Sequence, residues 1–175
     1  GEFLDGYSLM TSNTFMMSDV YTFEELHNGA LDKIPKTSGV YFVIIPEHFK
    51  IVIKEETDGY KLTSKGNPSS YPVEQLQRKA LHYGIEAPYN SHILYIGKAK
   101  DLHRRIEQYV GYRYDVVNLF PHDGGRAIWQ LENNEKLMIR YIECKEKMDC
   151  RELEHKLLCK YKDKYGAYPF ANRKS

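Results

Sequence analysis

Two apolar segments that lie far apart in the chain constrain the fold most. Residues 38–45, SGVYFVII, are rich in β-branched and aromatic side chains and end at Pro46, a pattern typical of a buried strand. Residues 92–97, HILYIG, form a second short segment of this kind. A third segment, residues 137–144 (LMIRYIEC), alternates like a strand with one buried face. These three segments predict a small sheet.

Helical signals lie around these strands. Thr22 and Glu25 have the spacing of a capping box, and Asp101 and Asp149 each precede an apolar stripe with helical period. Pro72 fits a first helical position, and Gly84 and Gly166 fit helix ends. The predicted helices cover about 23–32, 72–84, 101–110 and 149–166, with a short one in GGRAIWQL.

The order of these elements predicts an α+β fold in which helices flank a small three-stranded sheet, mixed or antiparallel. Residues 1–34 form an N-terminal extension with a short helix, and residues 35–175 form the main domain. An insertion at about 46–90 separates the first two core strands. Within it, residues 50–56 (KIVIKEE) alternate well enough to predict a further strand hairpinned to the first.

Composition narrows the class of protein. The 175 residues contain no apolar run that approaches a membrane span, and residues 1–18 lack the features of a secretory signal, which predicts a cytoplasmic location. Cys144, Cys150 and Cys159 have spacings that fit neither a disulfide framework nor a metal knuckle, so we expect reduced thiols. Because the net charge is only +1, a nucleic-acid function has to depend on local clusters.

One such basic cluster lies directly after the second apolar segment. Lys98, Lys100, Arg104 and Arg105 accompany a single acid, Asp101. On one helix, a cluster of this kind is more often a solvated charged face than a binding site. The cluster therefore gains meaning only from its neighbours in the sequence.

Those neighbours carry a family signature. Gly-Val-Tyr at 39–41 and Tyr-Ile-Gly at 95–97, followed by Lys98 and by an LxxR pattern that ends at Arg105, resemble the motifs of the GIY-YIG nucleases. The stretch Tyr-Ile-Gly-Lys-Ala-Lys-Asp-Leu is the most specific part. Within the family it is most similar to the nuclease domain of the bacterial excinuclease, which also has a tyrosine at the position of Tyr109.

Two further motifs extend the resemblance to roughly residues 34–175. Glu154 lies in ExxLL on the last predicted helix, where the family has its acidic metal ligand, and Asn172 lies in PxxN, where the family has a terminal asparagine. Several motifs in the right order are jointly more specific than any one tripeptide. The insertion at 46–90 is the main departure, since family members have a much shorter connection there.

The resemblance implies a DNA endonuclease that hydrolyses phosphodiester bonds with one Mg²⁺ or Mn²⁺ ion. Glu154 is the implied metal ligand, because Mg²⁺ keeps most of its water and needs few carboxylates. Arg105 would bind the scissile phosphate through its planar fork. Tyr41 or Tyr95 would act as general base or orient the water, and a nearby cation would have to favour the phenolate. The implied catalytic set is Tyr41, Tyr95, Lys98, Arg105, Tyr109, Glu154 and Asn172, and the implied DNA contacts are Lys98, Lys100, His103, Arg104 and Arg105.

Other interpretations stay open. A glutamate on a helix is usually solvated and a tyrosine usually packs in a core, so the chain could be an inactive DNA-binding module of the same fold. A nuclease for RNA or for branched DNA would carry the same motifs. The insertion could contact DNA or another subunit, but the sequence favours a surface elaboration. The oligomeric state and the recognition sequence are not predicted.

Overall fold

The computed structural model describes residues 16–84, 89–116, 124–145 and 149–173, and its centre is a four-stranded antiparallel sheet. The strands are β1 (Tyr21–Thr22), β2 (Gly39–Ile44), β3 (Ile93–Ala99) and β4 (Met138–Glu143), in the order β1-β4-β2-β3. The α+β class and the three core strands are confirmed, but the strand number predicted from the sequence is wrong. The additional strand, β1, is only two residues long and is held by its pairing with β4, so it is too short to show an alternating pattern.

The pairing of the three core strands brings the two signature tripeptides together. β2 lies between β3 and β4, and Tyr41 faces Gly97 on one side and Tyr141 on the other. The tripeptide that contains Gly97 lies in β3, which is an edge strand. Residues separated by the whole insertion therefore become direct neighbours across one strand pair.

Four α-helices are present among the described residues: α1 (Phe23–His27), α2 (Val73–Ala80), α3 (Leu102–Arg113) and α4 (Cys150–Tyr165). Thr22 makes the predicted capping box, and the carboxylates of Asp101 and Asp149 accept backbone N–H groups at the starts of α3 and α4. The predicted helix at 23–32 is interrupted, because Gly29 has a φ of 122° and a 3₁₀ turn follows it. No helix in the described part of the chain is long and apolar enough to span a bilayer.

Helices cover both faces of the sheet. Since side chains alternate along a strand, Tyr41 and Val43 of β2 pack on the side of α3, whereas Val40 and Phe42 pack on the side of α4. The α3 side is contributed by Leu102, Ile106, Tyr109 and Val110, and the α4 side by Leu153, Leu157, Leu158 and Tyr161. The sheet is thus the middle layer of a sandwich.

The insertion does not form the strand predicted at 50–56. Within residues 50–56, Ile53 alone makes a bridge, with Leu131. The prediction failed because an alternating pattern shows that a segment is amphipathic but not whether a partner strand is available. The segment packs on the core instead. Gln130, which is fully buried, accepts a hydrogen bond from the Tyr71 amide and donates to the carbonyls of Lys54 and Tyr71.

The prediction of three reduced thiols is wrong for two of them. Cys144, just after β4, and Cys150, the first residue of α4, form a disulfide with their Cα atoms 5.8 Å apart. Their positions at the end of β4 and the start of α4 place them within bonding distance, although their spacing in sequence matches no familiar disulfide pattern. Cys159 is exposed and free.

Candidate active site

The contact between Tyr41 and Gly97 organises the candidate site. Gly97 faces Tyr41 across the β2–β3 pair, and a Cβ atom added at Gly97 would lie 2.5 Å from Tyr41 Cζ and 2.7 Å from its hydroxyl oxygen. Real Cβ atoms do not approach other atoms this closely. The glycine of the second tripeptide is therefore required by the tyrosine of the first.

Tyr41 and Tyr95 form a pair of phenols beside Gly97. Their ring centroids are 5.9 Å apart, and a hydrogen bond between the two side chains contributes to the pKa of each phenol. Tyr41 is 1% exposed and Tyr95 is 9% exposed. Tyr95 is thus the more exposed of the two phenols, and the buried Tyr41 ring packs against it.

Burial keeps both phenols neutral. The pKa of Tyr95 is raised to about 12, mainly by burial and also by the negative charge of Glu154. The hydrogen bond with Tyr41 and the positive charge of Arg105 act to lower it. Burial also raises the pKa of Tyr41 well above its usual value, with a further contribution from Tyr95. In the absence of a bound cation, both hydroxyls are therefore protonated near neutral pH and act as hydrogen-bond donors.

Tyr109 lies beneath this pair. Its ring centroid is 6.2 Å from that of Tyr41 and 5.9 Å from that of Tyr95, and its buried hydroxyl donates to the Gly125 carbonyl at 2.7 Å. The structure therefore brings Tyr109 into the cluster as a support for the other two rings. Gly125 is a neighbour that sequence reasoning missed: with a φ of 76°, it lies so close that an added Cβ would be 2.6 Å from the Tyr109 hydroxyl. The paired glycines at 124–125 were the available signal.

Glu154 and Lys98 face each other on the α4 side of the sheet. Lys98 Nζ is 3.7 Å from Glu154 Oε1, and both residues line a cavity of about 540 Å³. Burial raises the pKa of the Glu154 carboxyl, while Lys98, Arg105 and His155 act in the opposite direction. Glu154 is thus a partly desolvated acid whose charge reaches both phenols.

A larger cleft of about 850 Å³ adjoins this cavity, and both share Lys98, Asp149 and Arg151 as lining residues. The cations that line the larger cleft are Lys98, Lys100, Arg104, Arg105 and Arg151. Its acids, Asp101 and Asp149, accept the first free N–H groups of α3 and α4. Because these carboxylates already cap the helix N-termini, the five cations are what makes this cleft attractive to anions.

The cleft contains most, but not all, of the predicted nucleic-acid contacts. His103 is not among its described lining residues, because its Nδ1 lies 3.2 Å from the Ile34 carbonyl oxygen and its Nε2 lies 3.9 Å from Glu107. Arg151 lines the cleft and was missed in the sequence. Its position three residues before Glu154, on the same helix face, was the signal that could have found it.

Asn172 stabilises the edge of β3. Its side-chain oxygen accepts a hydrogen bond from the Ile96 amide, and its side-chain nitrogen donates to the Ile96 carbonyl, both at 3.0 Å. The side chain takes the place of a further strand at this edge, directly after Tyr95. These two hydrogen bonds fix the C-terminal segment against β3 beside Tyr95.

The donor set fits a metal ion that needs few protein ligands. No group of three or more histidine, cysteine, aspartate or glutamate side chains that could hold a metal occurs among the described residues. Glu154 alone, beside a cavity with room for water, suits Mg²⁺, which usually keeps several waters and binds through one or two carboxylates. It does not suit Zn²⁺, which takes three or four protein ligands.

The contact between Gly97 and Tyr41 can be tested by a double-mutant cycle on stability. Gly97→Ala should destabilise the protein by about 1–3 kcal/mol, because the added methyl group forces the Tyr41 ring out of place. In a Tyr41→Ala background the ring is absent, so the same substitution should cost much less. Urea denaturation of the four proteins measures both values, and an equal cost in both backgrounds would contradict the contact.

The environment of Glu154 predicts a pH dependence. A carboxyl whose pKa is raised in the folded state, here above the ordinary 4.5, stabilises the fold below that pH and loses this contribution as pH rises through the folded pKa. Glu154→Gln cannot ionise, so it should gain stability relative to wild type between pH 4 and pH 7. Urea denaturation in EDTA measures the difference, with Glu152→Gln as the control for charge loss on α4. A relative loss of stability at pH 7 would contradict the assignment.

Comparisons with protein-family models, with curated proteins and with solved structures find no match for this chain.

Proposed function

We propose that this chain is a GIY-YIG-type endonuclease that hydrolyses DNA phosphodiester bonds with one divalent metal ion. The observation that carries the proposal is that the signature strands meet α3 and α4 at one place. The Tyr41 and Tyr95 rings pack together across the β2–β3 pair. Lys98 of β3 lies 3.7 Å from Glu154 and lines the same cleft as Arg105. Arg105 and Glu154 both act on the hydroxyls of Tyr41 and Tyr95. A shared electrostatic environment of this kind is typical of an active site.

Each of the four groups matches a requirement of phosphodiester hydrolysis. A Mg²⁺ ion held by Glu154 would supply a Lewis acid for the charge that develops on the phosphate oxygens. Arg105, at the edge of the basic cleft, offers a planar donor pair to a phosphate. The Glu154 carboxylate would therefore bind the cation, and the Arg105 guanidinium would bind the anion.

Tyr95 is the phenol that we assign to the attacking water. It is the more exposed of the two, with 9% of its surface accessible against 1% for Tyr41, so its hydroxyl is the one that a water molecule can reach. Because its pKa is about 12, Tyr95 is protonated near neutral pH when no cation is bound, and it orients the water through a hydrogen bond. It can accept a proton only when nearby positive charge favours the phenolate.

A polynucleotide is the substrate that the cleft favours. Four further cations line the cleft together with Arg105, so neighbouring phosphates of the same strand can be bound as well. Lys98, Lys100 and Arg104 are the cations we assign to these phosphates. Phosphate contacts position a nucleic acid without reading its sequence, so the cleft itself favours no base.

The second candidate is a binding module that has the same fold and does not cut. The contact between Lys98 and Glu154 favours it, because an ammonium group 3.7 Å from the carboxylate competes with a metal ion for that ligand. Such a protein would bind DNA tightly in any metal and leave it intact. The two functions therefore differ in one measurable property, which is turnover.

Cleavage of supercoiled plasmid in Mg²⁺ or Mn²⁺ tests the proposal. Wild type should convert the plasmid to nicked or linear forms. Glu154→Gln, Arg105→Ala and Tyr95→Phe should each slow the reaction by about 100-fold or more, which is the usual scale for losing a catalytic group. Arg105→Lys should also be slow, because lysine lacks the planar fork.

Arg104→Ala is the matched control, because it removes an exposed cleft cation next to Arg105 and should mainly weaken binding. Binding of labelled duplex without cleavage by wild type would assign the chain to the binding-module class. Cleavage by Glu154→Gln at the wild-type rate would exclude the proposed metal ligand.

A further inference from the structure

A further cavity, of about 250 Å³, lies between the insertion and the C-terminal segment. We call it the insertion pocket and define it by Tyr71, Gln75, Lys79 and Arg173; Leu76, Ala127, Phe170 and Ala171 form the rest of its wall. The first three belong to the insertion at 46–90. The fourth follows Asn172, which holds the edge of β3.

The insertion pocket is positively charged. Lys79 and Arg173 both line it, and no acid occurs among its described lining residues. The Lys79 ammonium donates a hydrogen bond to the Asn172 carbonyl, and burial together with the charge of Arg173 lowers the pKa of Lys79. Two like charges at one small cavity repel each other, so a bound anion would offset an existing cost.

The pocket is held in place by the core. The Tyr71 amide donates to the buried Gln130 side chain at 2.7 Å, and the Arg126 guanidinium lies 4.4 Å from the centroid of the Tyr71 ring. On the opposite wall, the Ala171 amide donates to the Leu94 carbonyl at 2.8 Å. Both walls are thus fixed to the sheet and its supporting turns, unlike a mere surface elaboration.

The pocket also adjoins the candidate active site. Tyr95 is influenced electrostatically by Tyr71 as well as by Glu154 and Arg105. Ala171 and Asn172 contact β3 on either side of Tyr95, at Leu94 and Ile96. A strand whose phosphate lies at Arg105 and Tyr95 therefore has a second cationic site close by, along the same edge strand.

We propose that the insertion pocket binds a second phosphate of the polynucleotide backbone, which makes the insertion part of the substrate-binding surface. This inference rests on the proposed nuclease function. The chemistry recognised is a phosphodiester group, bound by Lys79 and Arg173 with a polar contribution from Gln75. On this proposal, α2 contributes Gln75 and Lys79 to substrate binding.

Salt-dependent binding of a labelled DNA duplex to the full chain, without divalent metal, tests this inference. Arg173→Gln and Lys79→Gln should each weaken binding severalfold and lower the slope of log K against log salt concentration by about 0.9, the value for one phosphate contact. Arg173→Lys retains the charge and should restore the slope. Thermal unfolding of each variant separates a loss of fold from a loss of contact, and Arg173→Gln serves if Lys79→Gln is unstable.

Arg78→Gln is the matched control, since Arg78 is exposed on the same helix and lies outside the residues that line the pocket. If Arg173→Gln and Arg78→Gln have equal slopes while wild type binds and cuts DNA, the inference is overturned and the nuclease function stands. If wild type binds no nucleic acid, both are overturned. Inorganic phosphate that stabilises wild type but not Arg173→Gln, with no change in DNA slope, would assign the pocket to a free anion and overturn the inference.

Discussion

The register of β2 against β3 is the constraint on which the candidate site depends. It places Tyr41 opposite Gly97 and Val43 opposite Tyr95, so both phenols project on the α3 side of the sheet. A shift by one residue would turn the tyrosines toward the opposite face and bring apolar side chains to the site. The alternation of side chains along the strands therefore buries the core and also places the two phenols on the same face of the sheet.

The phenols at the centre of the site are neutral, whereas the side chains around them are charged. Tyr41 and Tyr95 are desolvated phenols, whereas Arg105 and Glu154 carry opposite charges beside them. The molecule has a net charge of only +1, yet the 850 Å³ cleft beside the site contains five cations and two capping acids. Local placement, rather than total charge, creates an anion-binding surface, and the insertion pocket repeats this principle on a smaller scale.

The sequence predicted the features that depend on local patterns, namely the three core strands, the helix caps at Asp101 and Asp149, and the order of the motif residues. It could not predict features that depend on a distant partner. The strand Tyr21–Thr22 exists only through β4, and residues 50–56 pair only at the isolated bridge between Ile53 and Leu131 despite their alternation. The insertion pocket likewise combines residues separated by about a hundred positions, for which a single sequence contains no signal.

The central claim is that the phenols and the carboxylate act at one centre. A double-mutant cycle of Tyr95→Phe and Glu154→Gln on the single-turnover rate of DNA cleavage tests it most directly. Groups that act as a unit are strongly non-additive, so the double variant should be about as slow as the slower single variant. If the two rate losses multiply instead, as they do for independent sites, the side chains do not share one centre and this account of the active site is wrong.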